Sequence, residues 1–111
     1  DMLKRFASYD GVKQIIVTEG GACFKDHLHA GVVNDAERID YFRSYLSAVL
    51  KAKQEGVPIG GYYAWTLTDN FEWAYGYSTR FGLVHTDFDT QLRTVKNSGY
   101  WFRDFLNGKA V

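Results

Sequence analysis

Apolar residues fall along this chain in two kinds of run, helical stripes and short continuous blocks. Met2, Leu3 and Phe6 share one face of a helix tail over residues 1–9, with Gly11 just beyond it. Residues 14–18, Gln-Ile-Ile-Val-Thr, form a β-branched block of the kind found in strands buried on both faces. Residues 20–33 hold glycines and two histidines without a period and read as a loop. The clearest helix follows. Asn34 is placed as its N-cap and Glu37 stands three residues on, a capping-box pattern. Ile39, Phe42, Leu46, Val49 and Leu50 then recur at helical spacing, and Gly56 lies past the end.

Pro58 and Gly60-Gly61 punctuate the chain before a second strand over residues 62–66, Tyr-Tyr-Ala-Trp-Thr. A long loop covers 67–80. Residues 81–88 and 92–95 flank Asp89-Thr90-Gln91 as a hairpin, and a final helix over 97–106 aligns Tyr100, Trp101, Phe105 and Leu106. Alternation of buried strands with amphipathic helices predicts parallel βα units and an α/β class. No internal repeat, low-complexity stretch or linker interrupts it. Two parallel strands leave open edges and are poorly stable alone. A (β/α)8 TIM barrel takes roughly 250 residues, so we expect residues 1–111 to be one partial domain, the C-terminal quarter of such a barrel with about its last two βα units. The opening on Asp1 fits a fragment.

Composition narrows the partners. Thirteen basic residues balance thirteen acidic ones, and neither sign clusters, so no field exists to hold nucleic acid or an anionic membrane. No apolar run reaches the roughly 20 residues that span a bilayer. Cys23 is the only cysteine, which excludes an intrachain disulfide and fits a reducing, cytoplasmic setting. Aromatic residues make up 17% of the chain, more than so small a core requires. They serve either as core filler or as flat surfaces for the C–H faces of sugars.

In βα folds the chemistry sits at the C-terminal ends of strands and in the loops that follow. Glu19 ends the first strand and runs into Gly20-Gly21, where a partly desolvated carboxylate could act as nucleophile, base or ligand, or form a structural ion pair. The stretch from Trp65 to Trp73 brings two indoles, two acids and an amide into nine residues. It is either a pyranose-recognition loop or a structural loop anchored by its own aromatics. Cys23, His27 and His29 lack a well-spaced third ligand for a metal, and no orienting group makes Cys23 a thiol nucleophile. His85 falls in the hairpin and reads as structural.

At these residues a resemblance becomes specific. Ile16-Val17-Thr18-Glu19-Gly20-Gly21 resembles the I/V-T-E-N-G segment around the nucleophile of glycoside hydrolase family 1. Residues 61–73, Gly-Tyr-Tyr-Ala-Trp-Thr-Leu-Thr-Asp-Asn-Phe-Glu-Trp, resemble that family's G-Y-x-x-W-S-L-x-D-N-F-E-W signature, and residues 76–83, 93–101 and the helix over 34–56 continue the likeness. The family resemblance implies a retaining β-glycosidase of β-glucosidase type. By position it implies Glu19 as the catalytic nucleophile, Trp65 as the aromatic platform under the sugar, Glu72 as acceptor from the hydroxyls at C4 and C6, and Trp73 as donor to a hydroxyl at C3 or C4. It implies no cofactor and no metal. Phosphoglycosidase relatives tend to replace the equivalent of Glu72, so Glu72 favours an unphosphorylated β-glycoside.

The chain departs from the pattern at Gly20, where the family carries Asn, and at Thr66, where it carries Ser. An adjusted loop is expected at the first. The family's acid/base glutamate lies in a T-x-N-E-P segment that does not occur here. Retaining hydrolysis needs two carboxyl groups about 5–5.5 Å apart, and Glu37 and Glu55 belong to the helix. The isolated chain is therefore expected to be inactive, completed by the missing N-terminal barrel portion. The alternatives are a sugar-binding stub without turnover or a self-associating fragment.

Overall fold

The computed structural model describes residues 1–109. Its elements run α1 (Met2–Ala7), β1 (Ile15–Gly20), β2 (Leu28–His29), β3 (Val32–Val33), α2 (Ala36–Gln54), β4 (Ile59–Ala64), β5 (Val84–Thr86), β6 (Arg93–Val95) and α3 (Asn97–Leu106), with a 3₁₀ turn at Trp73–Tyr75. β1 and β4 pair in parallel, the arrangement expected of consecutive βα units. β2 and β3 form a two-residue hairpin inside the segment expected to be loop, and β5 and β6 form the expected antiparallel hairpin with shorter strands.

The stripe on α2 explains the core. Phe42, Leu46, Val49 and Ala52 recur every three or four residues and are all buried. Phe42 and Leu46 meet Leu83 and Trp101, and Tyr62 and Ala64 of β4 pack against this cluster from the sheet side. Phe42 also meets Phe102 edge-on at 5.4 Å. Helices therefore cover one face of the β1–β4 pair. On the other face Ile16 is 46% and Tyr63 is 63% exposed.

That open face corrects two expectations. β1 is not buried on both sides, and Glu19 is exposed rather than partly desolvated. The cause is the same for both, because β1 has one neighbouring strand instead of two. β4 starts at Ile59, before the glycines, so Trp65 and Thr66 follow the strand instead of ending it. The Asn34 cap is also corrected. Asp35 is the residue before α2, and its carboxylate does not cap that helix. Leu50 of the expected stripe is exposed, as are Tyr100 and Leu106 of α3.

The molecule is a slab with extents of 50 × 35 × 17 Å. Its radius of gyration is 15.8 Å, against about 13 Å for a compact domain of this length. One layer of helices on two strands cannot close around a core from both sides.

Candidate functional site at the ends of β1 and β4

The register of β1 against β4 sets the position of Glu19. Val17 pairs with Tyr62 and Gly20 pairs with Ala64, so Thr18 and Glu19 together oppose Tyr63 alone. Such a bulge breaks the two-residue alternation of a strand and re-aims side chains at sheet ends. Val17 and Gly20 stay on the side covered by α2, while Thr18 and Glu19 are exposed like Tyr63. The end of β1 is tied to the residue after β4, because the Trp65 amide donates to the Gly20 carbonyl at 2.9 Å. Gly20 and Gly21, the two residues after Glu19, are thereby the ones that adjoin Trp65. The peptide bond between Trp65 and Thr66 is cis.

Glu72 and Trp73 stand at the tip of the loop after β4. The Glu72 amide donates to Gly76 at 2.7 Å and the Tyr75 amide to Glu72 at 2.9 Å, closing a tight turn in which Trp73 has φ +43. Phe71 meets Tyr77 edge-on and Tyr77 meets Phe88 at a tilt, with centroids 5.4 and 4.4 Å apart, and Arg80 lies 4.5 Å over Phe88. This ladder gives the loop its own support. Trp65, Glu72 and Trp73 take no part in it, and Trp73 is 83% exposed. The structure thus joins Glu19 to Trp65 through the Gly20 backbone, and reaches Glu72 and Trp73 only through the loop.

The base of that loop is fixed by buried charge. The Asp69 carboxylate accepts from Lys96 Nζ at 2.8 Å, the Gly82 amide at 2.8 Å, Arg80 Nη1 at 2.7 Å and the Thr86 amide at 3.4 Å. Lys96 also donates to Asp26 at 2.5 Å, and Asp26 accepts two bonds from Arg38 at 3.0 and 2.8 Å. Arg38 continues to Asp35 at 2.5 Å. Burial alone would raise the Asp69 carboxyl, but Lys96 and Arg80 outweigh it and hold it below the usual range. The same balance runs the other way at Arg38, where burial works against the charge and Asp26 and Asp35 more than restore it. Three carboxylates meet three cations.

The sequence pattern of Glycosyl hydrolase family 1 matches residues 1–111. The chain belongs to that family. It is 48% identical over 103 residues to a β-glucosidase of Agrobacterium sp., covering 93% of this chain and 22% of the relative. A 6-phospho-β-galactosidase of Clostridium acetobutylicum is 47% identical over 104 residues, covering 93% and 22%. The solved β-glucosidase of Thermotoga maritima in complex with castanospermine superposes with a TM-score of 0.95 at 44% identity, over 99% of this chain and 25% of that one. The chain spans about a quarter of the length of the relatives it matches. These family 1 neighbours are (β/α)8 barrels, and the α/β slab is a piece of one, the class expected from the pattern.

The departure at Gly20 from the family 1 pattern has a physical counterpart. A Cβ built on Gly20 would lie 2.2 Å from the Tyr62 hydroxyl, so that ring fills the space a side chain would need. The hydroxyl is buried without a hydrogen-bond partner, and burial, with Tyr41 and Tyr45 nearby, pushes it up to about 12. A Cβ at Gly21 would meet the Trp65 carbonyl at 1.8 Å, so the close approach of the two strand ends requires glycine there. A cavity of about 590 Å³ opens between α1, β1 and α2. Glu19, Gly20 and Tyr62 border it, while Trp65, Glu72 and Trp73 do not.

Motif reading in family 1 terms found the loop but not what anchors it. Asp26, Asp35, Arg38, Arg80 and Lys96 are scattered charges without a shared period. The only local signal was the acid inside the Trp65–Trp73 signature, Asp69. Cys23, His27 and His29 are exposed, and among the described residues no group of three His, Cys, Asp or Glu is close enough to hold a metal ion. His85 is buried on β5, with burial and then Arg80 lowering its proton affinity. No helix among the described residues is long and apolar enough to cross a membrane.

Proposed function

We propose that this chain is part of a retaining β-glycosidase acting on unphosphorylated β-glucosides, to which it contributes the nucleophile Glu19 and the sugar contacts Trp65, Glu72 and Trp73. The observation that supports the reading is the tie between Gly20 and Trp65, which brings the residue after Glu19 against the residue that carries the indole, at the C-terminal end of a parallel pair. A carboxylate with a free approach can attack the anomeric carbon, and an indole face gives the ring a platform. Residues 1–111 would form one part of a single barrel domain working in the cytoplasm.

Double displacement needs a second carboxyl group about 5–5.5 Å from the first, to protonate the leaving oxygen and then activate water. The buried carboxylates Asp26, Asp35 and Asp69 are committed to ion pairs. Glu55 pairs with Lys4 at the end of α2, and Glu72 is reserved for the sugar hydroxyls. The reading draws the acid from outside these residues, in keeping with a sequence that holds no T-x-N-E-P segment. Its lack removes a factor of about 10²–10⁴, and the open slab removes positioning as well.

The test mixes the chain with a polypeptide carrying the remaining units of a family 1 barrel and follows an activated aryl β-glucoside. Turnover in the mixture that disappears with Glu19→Gln is the expected result. Turnover that survives Glu19→Gln sinks the nucleophile assignment. The chain alone should show none above its Glu19→Gln control. A second reading is self-association, favoured by the apolar surface left bare at Ile16, Tyr63, Leu67 and Phe71. Sedimentation as a monomer at micromolar concentration would dismiss it.

A further inference from the structure

We propose that Lys96 is a positioning residue that locks the loop after β1 to the loop after β4, and so sets Glu19 against Trp65 and Glu72. The inference rests on the glycosidase reading for its consequence and on the ion cluster for its geometry. Among the described residues Lys96 is the one ammonium shared by carboxylates of both loops. It donates to Asp26, seven residues after Glu19, at 2.5 Å, and to Asp69, three residues before Glu72, at 2.8 Å. All three side chains are 0% or 1% exposed, so no water competes for these bonds.

Arg38 and the Phe24 amide also join the two loops, both donating to the Arg80 carbonyl, but among the described residues only Lys96 joins Asp26 to Asp69 at the base of the Glu72 loop. Arg38 holds Asp26 with two bonds, and Arg80 holds Asp69 with one, so each carboxylate keeps a guanidinium when Lys96 is removed. What disappears is the bridge between Asp26 and Asp69, the tie nearest Glu72, while the ties at Arg80 remain. Loop amides report on it, because Thr66, Asp69 and Glu72 donate to Phe81, Val84 and Gly76 and are protected only while the loop keeps its shape. Lys96 begins α3 through its backbone carbonyl, which accepts from Gly99 and Tyr100 and is untouched by a side-chain change.

The experiment is amide hydrogen exchange on the full chain, comparing Lys96→Met with wild type. Exchange of residues 66–72 should accelerate by about tenfold or more, while amides of α2 and of the β1–β4 pair change less than about twofold. Lys96→Met leaves the cluster one negative charge in excess. If that variant does not fold, Lys96→Met with Asp26→Asn restores the balance, still lacks the bridge, and should show the same loop-limited acceleration. Loop exchange that stays at the wild-type rate overturns the proposal, and so does acceleration spread equally over the whole chain. This readout needs no turnover. If Glu19→Gln retains activity in the reassembled barrel, the glycosidase reading falls while the coupling of the loops stands or falls on exchange alone.

Discussion

Asp35 offers the sharpest contrast between what the chain spells and what the fold uses. Position 34 looks like the cap of α2, yet Asn34 makes only a long 3.4 Å contact to Asn97 at the surface. The neighbouring Asp35 is buried and reaches another helix. Its carboxylate accepts from the Ser98 amide at 2.9 Å and the Ser98 hydroxyl at 2.5 Å, and pairs with Arg38 at 2.5 Å. The Ser98 amide lies in the first turn of α3, one of the donors that a helix cannot satisfy internally. Asp35 therefore caps α3 from α2, and the negative charge favours that helix end. Asp35→Ala strands a buried donor and takes one of two carboxylates from a buried guanidinium, which costs about 3–5 kcal/mol. Asp35→Asn keeps an acceptor for Ser98 and loses the charge, costing about 1–2 kcal/mol. Asn34→Ala should change stability by less than about 0.5 kcal/mol. Urea unfolding followed by circular dichroism separates the three. The Asp35→Asn midpoint should fall by about 1 M with an unchanged slope, and that of Asn34→Ala should stay near wild type. Equal losses for Asn34→Ala and Asp35→Ala would refute the reasoning.

Gly20→Ala should destabilise by about 1–3 kcal/mol through overpacking against Tyr62, and by much less in a Tyr62→Leu background. Equal cost in both backgrounds would show that the ring is not the obstacle. Stability should also fall as pH drops below about 6.5. His85 is held below its ordinary 6.5, so the unfolded chain takes up a proton that the native chain refuses. Titrating the unfolding free energy from pH 7.5 to 5 checks this, and His85→Asn should flatten the slope. Asp69 adds a second step at lower pH. Its folded-state value lies below the ordinary 3.8, so its contribution is complete above that point and is lost as pH falls through the folded-state value. Asp69→Asn, compared with wild type below about pH 4, should remove that acid-dependent loss.

The periodic elements were legible because burial on one side writes a period into the sequence. The stripe Phe42, Leu46 and Val49 gave α2, the β-branched block gave β1, and residues 97–106 gave α3 with its observed ends. The two-residue β2–β3 hairpin was missed because two residues are too few to establish an alternation. The bulge at Thr18 and Glu19 leaves no mark either, since one extra residue shifts the register without changing composition. The choice between Asn34 and Asp35 could not be made locally, because both are good caps. What decides it is Ser98, sixty-three residues on. The ion cluster was invisible for the same reason. Asp26, Arg38, Asp69, Arg80 and Lys96 lie far apart in the chain, and charges at such spacing ordinarily face solvent.

The aromatic share shows which parts of the site this quarter of a barrel determines by itself. If the aromatics were core filler, most would be buried, yet only Phe42 and Trp101 are, while Phe6, Tyr9, Tyr45, Tyr63, Phe71, Trp73, Tyr75, Tyr77 and Tyr100 are exposed. The loop that carries Glu72 has supports of its own. Its ladder of Phe71, Tyr77 and Phe88 and its ionic base at Asp69 lie within residues 1–109. Glu19 is the opposite case. Its backbone is placed by Gly20, Gly21 and Trp65, but its exposure reflects the strand that β1 lacks beside it. A neighbour that removed water from that face would strengthen every charge interaction around it. The chain thus fixes the shape of the Trp65–Trp73 loop locally and leaves the surroundings of Glu19 to whatever closes the open face of the sheet.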